Sequence, residues 1–218
     1  AFTPPPRPHP APLPRVLLIH TGGTLGMAVA ASYAPISTGG PGHEFELRPG
    51  TGGQYRAPLA PAPLLADLTA AVPELAELAD LSAVVPFNKD SSRVGPAEWV
   101  ALARLLHDAR DAFDAFLVVH GTDTMAFTAS FLSLALAGFG KPVVLTGSQL
   151  PLGLPRSDAR QNLVDALTVA TAPFTPPFVP FAEVGICFGG VLLRGNRAQK
   201  TNASHYRAFG SPTWPPLA

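Results

Sequence analysis

Five short apolar runs punctuate the chain, at 16–21, 82–87, 115–119, 143–146 and 183–188, each bounded by turn residues. Near-continuous apolar runs of this length read as strands buried on both faces of a parallel sheet. Between them lie stretches with helical spacing: 64–78, running through Pro73, then 96–112, 124–137 and 158–171. The clearest is 96–112, where Trp99, Leu102, Leu105, Leu106 and Ala109 share one face and Pro96 occupies a favoured first-turn position. The helix after Asp123 is apolar almost all round, which predicts a buried helix rather than a surface one. Strand and helix in alternation predict an α/β domain, Rossmann-like or flavodoxin-like, with three layers, a mostly parallel sheet and right-handed crossovers.

Two segments break the alternation. Residues 1–14 are Pro-rich without an apolar signal core and read as an extended leader. The chain opens on Ala rather than Met, which leaves open a targeting segment upstream. The glycine- and proline-rich stretch 37–61 has no periodicity, and loops of that length are functional lids or disordered.

At 218 residues, one domain is the expectation, here 15–218. Fifteen basic residues balance fifteen acidic ones, which argues against nucleic acid or an anionic membrane as the main partner. No run approaches the roughly 20 apolar residues that span a bilayer. The single cysteine, Cys187, lies between Ile186 and Phe188 and reads as a buried structural thiol in a reducing compartment. The six histidines show no metal-ligand spacing, so no metal is expected.

The chemistry-bearing residues cluster at strand ends, where ligands bind in open α/β sheets. The third run ends in His120-Gly121-Thr122-Asp123-Thr124, the first in His20-Thr21-Gly22-Gly23-Thr24. Thr122 and Asp123 read equally as helix caps. The glycine turn lacks the Gly-x-Gly-x-x-Gly spacing of a nucleotide fold and the lysine of a phosphate loop. Two threonine-bearing turns leave open a hydroxyl attack on a carbonyl, with backbone amides holding the oxyanion.

With these turns stand Asp90-Ser91-Ser92, the segment Lys141 to Gln149, Arg156-Ser157-Asp158, Asn162-Leu163 and the segment Arg194 to Lys200. In this order, from about Val16 to Pro216, the segments resemble the N-terminal domain of the bacterial-type L-asparaginases, most closely the cytosolic type I branch. The resemblance implies hydrolysis of L-asparagine to L-aspartate and ammonia through an acyl-enzyme on Thr24, without a cofactor. It implies a triad of Thr122, Asp123 and Lys200, a lid tyrosine at Tyr33, and substrate binding by Asp90, Ser91, Ser92, Thr122 and Asp123. It also implies a smaller C-terminal domain beyond this chain, a cytoplasmic location, and a homodimer or homotetramer.

Four positions depart from the family pattern. Arg93-Val94 replaces Asp-Met after the serine turn, Ala159 stands where Gly is common, and Gln199 stands where Thr often precedes the lysine. The last bears on allosteric activation by asparagine. Other readings stay open: a lysophospholipase-like esterase, though no Gly-x-Ser-x-Gly elbow is present; an amidotransferase-associated asparaginase; and a non-catalytic amino-acid-binding module.

Overall fold

A computed structural model describes residues 12–23, 25, 62–172 and 181–218. The expected 37–61 loop and nearly all of the leader lie outside these residues. Five parallel strands and one antiparallel strand form the main sheet: β1 (Arg15–His20), β2 (Asp80–Val84), β3 (Ala115–Val119), β4 (Val143–Thr146), β5 (Val184–Phe188) and β6 (Val191–Arg194). Their order is β2-β1-β3-β4-β5-β6, the flavodoxin-like arrangement with an added antiparallel edge. The described helices are α1 (Ala62–Ala71), α2 (Glu74–Leu78), α3 (Pro96–Ala109), α4 (Met125–Ala135) and α5 (Ala159–Thr171).

The strand pleat sorts the core into two layers. Leu17, Ile19, Phe116, Val118, Val143 and Leu145 face one side, packed against Leu102 and Leu106 of α3 and Met125, Ala129 and Leu132 of α4. Val16, Leu18, Leu117, Val119 and Val144 face the other, against Leu68, Leu75, Leu163 and Leu167. Both strand faces are therefore covered, which is why the strands read as unbroken apolar runs rather than as alternating ones.

Several boundaries move for identifiable reasons. The helix expected over 64–78 is two helices, because Pro73 supplies no N–H and the chain restarts at Glu74. The strand expected over 82–87 lies at Asp80–Val84, in register with β1 from Arg15↔Asp80, and Pro86 follows where no ladder donor is available. Pro14 is already tied to the sheet, its carbonyl accepting from Asp80 N–H at 2.9 Å.

The helix after Asp123, expected to be buried rather than at the surface, is buried on one face only. In α4, Met125, Thr128, Ala129 and Leu132 are buried, whereas Phe127 and Leu134 are 63% and 71% exposed. A helix in an outer layer buries only the face toward the sheet and its neighbours, and uniform apolar composition hides which face that is.

Strand β6 had no forecast. It forms a two-residue hairpin with β5 through Gly189 and Gly190, at φ +62° and +78°, the left-handed pair that a tight hairpin of this hand requires. An added Cβ at Gly190 meets nothing within 4 Å, but at Gly189 it would lie 2.7 Å from the Tyr206 carbonyl oxygen. Gly190→Ala should therefore cost about 1 kcal/mol, from backbone strain alone. Gly189→Ala should cost measurably more in urea unfolding, and equal losses would contradict this packing.

Candidate active site

The sheet order changes direction between β1 and β3, and the two threonine turns leave the carboxyl ends of those neighbouring strands. Each turn is pinned to the next by backbone. Thr21 donates from both N–H and Oγ1 to the Val119 carbonyl, at 3.0 Å each, and its own carbonyl accepts from Lys89 N–H. A Cβ on Gly23 would sit 2.5 Å from Gly121 Cα, and one on Gly121 would sit 2.6 Å from Ser91 Oγ. At Gly147, after β4, a Cβ would approach the His120 carbonyl oxygen to 2.3 Å. Only glycine lets these turns close on one another.

The alternative that Thr122 and Asp123 merely cap α4 does not hold. Thr124 is the cap residue, with no side-chain capping bond. Its Oγ1 instead donates to the Ser91 carbonyl at 2.7 Å, while Asp123 N–H donates to Ser91 Oγ at 3.2 Å. Ser91 is buried and fixes the turn. Asp90 is committed locally: its Oδ1 accepts from Ser92 N–H at 2.9 Å and from Ser92 Oγ at 2.6 Å, which holds its carboxyl below the ordinary carboxylate range.

Lys200 reaches this cluster from far along the chain, on β7 (Gln199–Lys200), which pairs with β8 (Phe209–Gly210). Its Nζ donates to Thr122 Oγ1 at 2.8 Å and to Asp123 Oδ1 at 2.7 Å. The lysine side chain is 19% exposed and the Asp123 side chain 59%, so a shielded cation meets a carboxylate still open to a solute. Chemically, the trio can pass a proton between an amine and a hydroxyl while presenting a negative charge to a small cation. Thr24 and Tyr33 lie outside the described residues.

Sequence motifs without an assigned role prove to be scaffolding. Asp158 accepts from Gln149 N–H and Leu150 N–H, and Asn162 Nδ2 donates to the Gly147 carbonyl and to Asp158 Oδ2. Asn162 Oδ1 accepts from Gly189 N–H, so the amide is fully used and the turn after β4 is seated on α5. Gln149 was missed as a site residue. Its Oε1 lies 3.5 Å from Thr122 Oγ1, and its Nε2 donates to the Ala203 and His205 carbonyls, joining the β3 turn to the loop after Lys200. Nothing in composition or spacing distinguishes it from an ordinary loop glutamine.

The family model "Asparaginase, N-terminal" matches residues 51–218. The chain belongs to the asparaginase family. It is 36% identical over 206 residues to L-asparaginase 1 of Escherichia coli (strain K12), covering 93% of this chain and 52% of that protein. It is 45% identical over 129 residues to the 60 kDa lysophospholipase of Mus musculus, covering 59% of this chain and 22% of that protein. The crystal structure of L-asparaginase I from Vibrio cholerae O1 biovar eltor str. N16961 aligns with a TM-score of 0.68 at 34% identity, covering 94% of this chain and 53% of that one. The chain thus spans about half the length of the L-asparaginases it matches.

Two buried imidazoles flank this cluster. Burial pushes His20 down to about 4, and burial also lowers His120 against the opposing pull of its bond to Gly121. A histidine depressed in the fold stays neutral there while the unfolded chain takes up a proton below about pH 6.5. Its stability contribution is therefore complete above pH 6.5 and is lost as pH falls toward 4. Denaturant unfolding should show stability falling between pH 7 and pH 4.5, by on the order of 2 to 3 kcal/mol from His20 alone. A His20→Asn variant should show a shallower slope; an unchanged slope would contradict the assignment.

Proposed function

We propose that the protein to which this chain belongs hydrolyses L-asparagine to L-aspartate and ammonia. The observation that carries the reading is the contact of Lys200 Nζ with both Thr122 Oγ1 and Asp123 Oδ1, at the strand ends where the family's threonine turns lie. The likeness to L-asparaginases over more than nine-tenths of the chain supports it.

In this mechanism the Thr24 hydroxyl attacks the side-chain amide carbon and gives up its proton as the new C–O bond forms. The carbon–nitrogen bond then breaks, the amine leaves as ammonia after taking a proton, and water hydrolyses the ester to free aspartate and Thr24. Lys200 moves protons through Thr122, and Asp123 both holds Lys200 and accepts the substrate ammonium on its open side. Ser92, in the turn that Asp90 holds, faces the substrate carboxylate, while Ser91 positions Asp123. Tyr33 closes over the bound amino acid. The whole protein is proposed to act in the cytoplasm as a homodimer or homotetramer; in this chain the charges balance and the one thiol, Cys187, is buried, which pushes it up to about 12.

Ammonia release from L-asparagine and L-glutamine by the whole protein, with fatty-acid release from a lysophospholipid measured alongside, tests the assignment. Asparagine should be preferred, since one methylene in such a pocket is worth about 1 to 3 kcal/mol. Thr24→Ala should nearly abolish turnover. Lys200→Ala should lower kcat by roughly a hundred to ten thousandfold, and Asp123→Asn should also raise KM. Wild-type turnover in Thr24→Ala, or lipid hydrolysis without ammonia release, would overturn the reading.

A further inference from the structure

His20 ends β1, is 4% exposed, and has no part in the chemistry proposed above. Its Nδ1 accepts a hydrogen bond from Gly22 N–H at 2.9 Å. We propose that His20 is a positioning residue for the Thr122–Asp123 turn, acting through Gly22 and Gly23. Gly22 and Gly23 stand at φ +110° and +88°, so their backbone has no side chain of its own to fix it. The peptide entering Gly22 is held at its two ends, its N–H by His20 Nδ1 and its Thr21 carbonyl by Lys89 N–H, and His20 is the only side chain of the two partners.

The consequence passes through contacts that leave no slack. Behind Gly22, a Cβ would lie 2.2 Å from the Lys89 carbonyl oxygen, so the turn cannot retreat in that direction. Ahead of it, Gly23 abuts the Gly121 backbone. A rotation of the Gly22 peptide therefore displaces Gly23 against Gly121, the residue that leads into Thr122 and Asp123. Backbone this tightly packed shifts as a unit.

The bond also dictates the state of the ring. An Nδ1 that accepts carries no proton, so His20 is neutral with its hydrogen on Nε2. His120 is the opposite tautomer: its Nδ1 faces the Gly121 carbonyl at 2.7 Å and must donate, and its Nε2, 3.0 Å from Thr128 Oγ1, accepts. The two histidines hold the two glycine turns from either side, one by an N–H and the other by a C=O. An asparagine at 20 keeps an acceptor near the Nδ1 position, whereas leucine keeps bulk without an acceptor.

The kinetic arm of the test rests on the asparagine-hydrolysis reading; the spectroscopic arm does not. Ring-nitrogen NMR of the histidine-labelled protein at neutral pH should give the Nε2–H tautomer for His20 and the Nδ1–H tautomer for His120, assigned by loss of signal in single variants. His20→Leu should shift the amide resonances of Gly121, Thr122 and Asp123 and lower kcat/KM for asparagine at least tenfold, and His20→Asn should restore at least a third of it. An Nδ1-protonated His20, or His20→Leu with unmoved Gly121–Asp123 resonances, would overturn the proposal. If wild type releases no ammonia, the function fails while the tautomer and the amide shifts still decide this inference. If His20→Leu does not fold, the wild-type tautomer and His20→Asn decide it.

Discussion

The site depends on one steric constraint: Gly23, Gly121 and Ser91 meet with no room for a methyl group between them. Three chain segments that are distant in sequence, the turns after β1 and β3 and the serine turn after β2, are thereby brought together, Gly23 and Gly121 backbone to backbone and the short Ser91 side chain against Gly121. Longer side chains would fix them less closely, because each added bond along a side chain adds rotamer freedom. Once the glycines are in contact, Ser91 Oγ is placed to take Asp123 N–H and the Ser91 carbonyl to take Thr124 Oγ1. Thr122 and Asp123 are then presented outward as a pair.

What the strands contribute is a rigid base for that contact. With β1 and β3 adjacent and both faces packed, the residues at their carboxyl ends inherit the register of the sheet, His20 opposite Val119. The polar network of Asp158, Asn162 and the Gly147 carbonyl does the same for the turn after β4, with every amide group of Asn162 engaged. Fully satisfied networks of this kind specify one arrangement, whereas a partly satisfied one would cost desolvation without return. Lys200 arrives last, from a short two-stranded ribbon, and meets both members of the waiting pair.

Much of this was legible in the residues. Five of the six strands of the main sheet and the helices that cover it follow from apolar runs and their spacing, because strands buried on both faces leave a strong signal. The placing of chemistry at the ends of β1 and β3 follows from the same logic. The sequence was silent where several segments decide together. That α4 leaves Phe127 and Leu134 exposed depends on its neighbours, not on its composition. The β6 hairpin is marked in the sequence only by the paired glycines at 189 and 190. Gln149 and His20 stand in segments that carry the family resemblance, but no local pattern shows their roles, since their partners are a side chain from another turn and a backbone N–H two residues on. The meeting of Lys200 with residues nearly eighty positions earlier came from the family pattern; no local periodicity contains it.

Glycine at 121 is required for the geometry of the site rather than for folding in general. Turnover of L-asparagine by Gly121→Ala, with unfolding and a crystal structure of the variant beside it, measures this directly. The variant should fold with Ser91 pushed from Gly121 and the Asp123 N–H bond to Ser91 lost, and kcat/KM should fall by roughly a hundredfold, as expected for reacting groups misplaced by about 1 Å. A variant that keeps wild-type turnover with an alanine methyl seated between Ser91 and Gly23 would contradict it.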